Sequence, residues 1–244
     1  MNSSSSAIAA AAYPYQTLIA RLEAIVAEFP RVALASSLGA EDMIVTDAIL
    51  SAGLPVAIFT LDTGRLARET LDLLERARRH YGREIEAIHP DPDAVARYVK
   101  ENGMNAFYQS VDLRKRCCHI RKVEPLARAL SGRDAWITGL RRAQSVTRTD
   151  LQLREHDATH GLPKFNPLAD WSEAEVWACI RDRGVPYNAL HDRGYPSIGC
   201  EPCTRAIRPG EDVRAGRWWW ETSDAKECGL HVSPLVNPSK GNAS

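Results

Sequence analysis

The chain is predicted to be an α/β protein, a parallel sheet with helices on both faces and a mobile C-terminal tail. Two observations predict this. Short apolar runs alternate with helix-period segments along the first half of the chain, and each apolar run leads into a loop of small or charged residues. Strands that alternate with helices pair in parallel and are covered on both faces.

The elements follow in order. From Tyr15 to Phe29, Leu18, Leu22, Ile25 and Val26 recur at helical spacing and Pro30 ends the pattern, so an amphipathic helix opens the fold. "RVALASS" reads as a strand, "LGAED" as a turn and "MIVTDAILSAG" as a helix stopped by Gly53. The unit repeats as "PVAIFTL", "DTGR" and "LARETLDLLERARRHYG", a helix rich in i,i+4 charge pairs. It repeats again as "EIEAIHP" and "DPDAVARYVKENG", with Asp91 as N-cap and Pro92 in the first turn. A helix is expected through "RKRCCHIRKVEPLARALSG" and a fourth strand at "DAWITGL". Beyond it only "SEAEVWACIRDRG" reads clearly, as a helix with a Ser172–Glu175 capping box.

Length and composition bound the function. A chain of 244 residues builds one main domain, divided as residues 1–14 (low-complexity start), 15–210 (the α/β domain) and 211–244 (a C-terminal segment). Lys plus Arg equals Asp plus Glu at 31 each, so no overall positive field favours nucleic acid. No apolar run has bilayer length and the N-terminus lacks a basic signal region, so a cytoplasmic protein is expected, with its six cysteines in a reducing compartment.

In open α/β sheets ligands bind at the carboxyl ends of strands. Three loops converge there: "SSLGAED" and "LDTGR", whose small residues and N–H groups make a cradle for phosphate or sulfate, and "GLRRAQSVTR", which supplies Arg141, Arg142 and Arg148. Together they point to an anionic nucleotide, although "SSLGAED" is neither a Walker A loop nor a GxGxxG fingerprint.

Four cysteines form two close pairs, Cys117–Cys118 and Cys200–Cys203. Two pairs of thiolates make a metal site. Adjacent cysteines reach one tetrahedral ion only with backbone strain, whereas they bind different irons of one cage readily, which favours an iron-sulfur cluster over zinc. The basic run around Cys117 reads as a solvated face, a nucleic-acid patch or a counter-charge for cluster and substrate. Cys179 lies on an apolar helix face and reads as core. Cys228, in "KECGLH", has no cysteine neighbour; Lys226 or His231 would lower its pKa if the tail folds over a basic site, and an incidental surface thiol is the bland alternative.

These motifs, in order "SSLGAED", "LDTGR", "KRCCHIRKVEPL", "TGLRRAQS", "GCEPCTR", "RAGRWWWE" and "KECGLH", resemble the assimilatory sulfonucleotide reductases, above all their cluster-containing branch, the adenosine 5′-phosphosulfate (APS) reductases. The resemblance implies a fold of the adenine nucleotide α-hydrolase (PP-loop) type and thioredoxin-dependent reduction of APS to sulfite and AMP. By the same resemblance Cys228 is the nucleophile that carries an S-sulfocysteine, and Cys117, Cys118, Cys200 and Cys203 hold a [4Fe-4S] cluster. Lys122 stands between cluster and substrate, Arg214 and Arg217 contact the phosphosulfate, and Arg141 and Arg148 add contacts. Ser36, Ser37, Leu61, Asp62, Thr63 and Gly64 complete the expected substrate site. Thioredoxin or glutaredoxin is the expected reductant and a homo-oligomer the expected assembly, without nucleic acid or membrane. A 3′-phosphoadenosine 5′-phosphosulfate (PAPS) reductase is the nearest alternative, and a non-catalytic metal protein with a nucleic-acid-binding helix is the alternative from another class.

Overall fold

The computed structural model describes residues 3–144 and 150–221, with side chains from residue 14 onward. Its centre is a six-stranded sheet in the order β3-β2-β1-β4-β6-β5. The strands are β1 (Val32–Ala35), β2 (Val56–Leu61), β3 (Glu86–Ile88), β4 (Ala135–Ile137), β5 (Arg154–Asp157) and β6 (Leu162–Phe165). All neighbours pair in parallel except β5 with β6, which form an antiparallel hairpin at one edge.

Strand alternation sorts the core into two layers. Val32, Leu34, Val56, Ile58, Ala135 and Ile137 face α1 (Ser3–Glu28), α2 (Ala40–Ser51), α3 (Arg68–Tyr81) and α7 (Glu173–Arg183). Ala33, Phe59 and Trp136 face the opposite way, onto Leu126 and Leu130 of α6 (Glu124–Leu130). Helices thus cover both faces. Cys179 of α7 is buried in the first layer, where burial pushes its thiol up to about 11.

Local signals act as expected. Asp91 caps α4 (Pro92–Asn102) through Asp93 N and Ala94 N, and Ser172 and Glu175 form the reciprocal capping box of α7. Three features differ from expectation. The first helix starts at Ser3, not Tyr15, because the Ala-rich stretch has the highest intrinsic helix preference. The helix through the cysteine pair is broken into α5 (Val111–Cys118), a π-type turn (His119–Val123) and α6. The β5–β6 hairpin was absent from the expected elements, since "REHD" at the edge carries the charges typical of edge strands and the proline of "LPKF" argues against a strand inside the sheet. Among the described residues no helix is long and apolar enough to cross a membrane.

Candidate active site

β1 pairs with β2 on one side and β4 on the other, which makes the gap above β1 the point where the winding reverses. A cleft of about 260 Å³ opens there. Its floor is Phe59, Leu126 and Trp136, and its rim carries Ser36, Ser37, Leu61 and Thr63 from the loops after β1 and β2. Lys122, from the π-type turn, and Arg214 and Arg217, from the C-terminal segment, line the same cleft. Of the expected substrate residues, Asp62 and Gly64 are not among the lining residues. The Asp62 carboxylate accepts from Gly64 N and stands 3.7 Å from His89 Nδ1. Arg148, Lys226, Cys228 and His231 lie outside the described residues.

Within "SSLGAED" the two donors of Ser37 have an acceptor inside the chain. Asp42 Oδ2 accepts from Ser37 N (2.6 Å) and Ser37 Oγ (2.5 Å), and Oδ1 accepts from Gly139 N (2.8 Å). A carboxylate of the chain itself therefore fills the nest and ties the loop after β1 to the loop after β4. Burial raises the Asp42 pKa to about 6, opposed by the bonds from Ser37 and Gly139. Arg141 lines the cleft and is also bonded within the fold. Its Nε and Nη2 both donate to Glu41 Oε1 (2.9 and 2.7 Å) and its Nη1 to the Trp171 carbonyl (3.3 Å), so it braces the start of α2.

The two cysteine pairs, distant in sequence, meet beside the cleft. Cys200 and Cys203 are buried with Phe107 and Trp218, and Cys117, Cys118 and Trp220 pack against them. "LDTGR" clamps this box: Arg65 O accepts from Glu201 N, and Thr63 Oγ1 lies 3.2 Å from Cys200 Sγ. Arg121 Nη1 donates to Thr63 O at 2.6 Å, and its charge also favours the Cys117 thiolate. Burial nevertheless pushes Cys117 up and Cys203 up to about 12, with Lys122 and Arg217 opposing at Cys203. Among the described residues no three His, Cys, Asp or Glu side chains are placed to hold a single metal ion.

Trp218 forms the wall shared by box and cleft. Its ring lies between the guanidinium groups of Arg114 (4.6 Å) and Arg217 (4.8 Å), and its backbone takes φ 41°, a rare region for a bulky residue. Arg114, one turn before the first cysteine pair, holds Glu221 in a buried two-pronged ion pair at 2.9 and 2.7 Å. The sequence reading missed Trp218, Arg114 and Arg121 as parts of the site. The "WWW" run was a usable signal, since three consecutive tryptophans exceed what a surface segment needs. It also missed His191, which lines the cleft edge-on to Trp177 and is held below its ordinary pKa by burial.

Comparison with known proteins agrees with this architecture. Adenosine 5′-phosphosulfate reductase from Burkholderia cepacia is 61% identical over 229 residues, covering 92% of this chain and 91% of the relative. The enzyme of the same name from Allochromatium vinosum is 61% identical over 210 residues, covering 86% and 82%. Among solved structures, the phosphoadenylyl-sulfate (PAPS) reductase of Candida auris in its phosphate complex superposes with a TM-score of 0.67 at 28% identity, covering 78% of this chain and 90% of that one. The FMN adenylyltransferase of Candida glabrata, at TM-score 0.58 and 12% identity, covering 95% and 81%, shares the PP-loop type of fold alone. Residues 31–206, from β1 to just past the second cysteine pair, match the phosphoadenosine phosphosulfate reductase domain, and the chain belongs to that family.

Proposed function

We propose that this protein reduces adenosine 5′-phosphosulfate to sulfite and AMP, with Cys228 as nucleophile and a dithiol protein of the thioredoxin or glutaredoxin kind as reductant. The observation that carries the reading is the meeting of four thiols, two buried and two half-buried, with a cleft at the switch point, one wall of which is shared. Relatives at 61% identity named for APS favour it over PAPS.

The residues present fit a [4Fe-4S] cluster held by Cys117, Cys118, Cys200 and Cys203. Four thiols from two segments converge, and adjacent cysteines such as Cys117 and Cys118 bind different irons of one cage more readily than they share a single zinc ion. Trp218 Nε1 is buried with no hydrogen-bond partner among the described residues, a donor that awaits an acceptor. Lys122, Arg121 and Arg217 supply positive charge around the thiols. When bound, the cluster supplies an anionic body that holds these cations in place, an electrostatic role and not an electron relay.

The chemistry then balances. The Cys228 thiolate attacks the sulfonyl sulfur; an S–S bond forms, the S–O bond to phosphate breaks, and its electron pair leaves on the phosphate of AMP. Lys122, Arg214 and Arg217 face the cleft where that charge develops, which stabilises the transition state more than the ground state. A thiol of the reductant next attacks Cys228 Sγ and releases sulfite. Its second thiol resolves the mixed disulfide, so two electrons reach sulfur from the dithiol.

Incubation with APS in the absence of reductant is the test. A sulfite-sized adduct on the Cys228 peptide by mass spectrometry, absent from Cys228→Ser while iron content is unchanged, is expected. An adduct elsewhere, or sulfite formation by Cys228→Ser, would sink the mechanism. A kcat/KM favouring PAPS would overturn the substrate.

A further inference from the structure

Gly199 directly precedes Cys200 and lines the cleft. It is not among the glycines with positive φ, so its backbone suits any residue and conformational freedom does not explain its presence. Space does. A Cβ at this position would stand 2.3 Å from Arg217 Nη2, 2.6 Å from Cζ and 3.0 Å from Nη1, inside the volume of the guanidinium, and these are its three nearest atoms. The guanidinium is held there on two other sides. Its Nη1 donates to Ile198 O at 3.3 Å, and its plane lies 4.8 Å from the Trp218 ring. Arg217 is 8% exposed, so little room exists for its head to retreat without giving up these contacts.

We infer that Gly199 is a positioning residue whose missing side chain forms the seat of the Arg217 guanidinium, at the boundary between cysteine box and cleft. The three atoms nearest a methyl group at 199 all belong to the far end of a flexible side chain. The methyl shifts one charge and leaves the fold intact. The inference rests on the reading of Arg217 as a phosphosulfate contact. Misplacing a charged donor costs the hydrogen bonds it makes to the anion, which corresponds to a loss of roughly 10- to 150-fold.

The experiment is a double-mutant cycle on the full-length, iron-loaded protein, with kcat/KM for APS, adenosine affinity and iron per chain as readouts. Gly199→Ala is expected to lower kcat/KM by about 10- to 150-fold, with adenosine affinity and iron content unchanged. In the Arg217→Ala background the same substitution is expected to cost nothing further, because the group it displaces is gone. A wild-type kcat/KM for Gly199→Ala, or an undiminished loss on top of Arg217→Ala, overturns the inference. If Gly199→Ala loses iron, restoration of iron by Arg217→Ala supports the collision and failure to restore it refutes it. An Arg217→Ala variant with wild-type kcat/KM refutes instead the reading of Arg217 on which the inference stands.

Discussion

Glu221→Ala tests how firmly the C-terminal segment is anchored to the cysteine box. The Glu221 side chain is 4% exposed and that of Arg114 1%, and two charge-assisted hydrogen bonds join them. Removing the carboxylate leaves a guanidinium with almost no solvent access, and breaking a buried pair in this way costs about 3–5 kcal/mol. Trp218, 4.6 Å from the same guanidinium, remains as a cation–π partner and holds the loss toward the lower end, about 3 kcal/mol. For a chain of this length that corresponds to a fall in Tm of about 6–12 °C. Calorimetry of wild type and variant, with iron content matched, measures it. The hydrophobic pair Arg114→Met/Glu221→Leu leaves no charge stranded and should recover most of the loss. A drop of under about 1 kcal/mol in Glu221→Ala, or a double variant no more stable than the single, would refute the argument from desolvation.

Three further outcomes are expected. Gly139→Ala places a Cβ 2.3 Å from Asp42 Oδ1 and 2.9 Å from Asp42 N, against backbone that does not move cheaply; it should cost about 1–3 kcal/mol and weaken adenosine binding, read by denaturant unfolding and by titration. Asp42 holds its proton in the folded state up to about pH 6 against 3.8 unfolded, so its contribution to stability is fully present below that window and is lost as pH rises through it. The stability difference between wild type and Asp42→Asn should therefore narrow as pH rises through the window, and a difference that is flat or grows there contradicts the assignment. Cys203→Ser should lose iron and activity together, and full activity in an iron-free preparation refutes the ligand set.

Much of this arrangement is legible in the sequence because its signals are local. The strands β1 to β4 are short apolar runs bounded by turn residues, and the caps at Asp91 and Ser172 follow from nearest-neighbour hydrogen bonds. The cysteine pairs announce themselves by spacing. What the sequence does not show depends on contacts across long sequence separations. Asp42 looks like part of a phosphate loop until Gly139, 97 residues away, donates to it. Arg141 reads as a substrate contact alone, and only the fold brings up Glu41, 100 residues away, to accept two of its hydrogen bonds. The β5–β6 hairpin escaped because an edge strand is written in charges, which resemble a loop.

The carboxylate in the nest has a consequence for binding. Loops built to cradle an anion commonly wait for that anion to order them, and part of the binding free energy is lost in doing so. Here the backbone donors of Ser37 and Gly139 are satisfied by Asp42, which ties the two loops of the rim together without any help from a ligand. On the proposed reading the nucleotide meets a preorganised rim, and Lys122, Arg214 and Arg217, which arrive on other elements, add the charge that its anionic end requires.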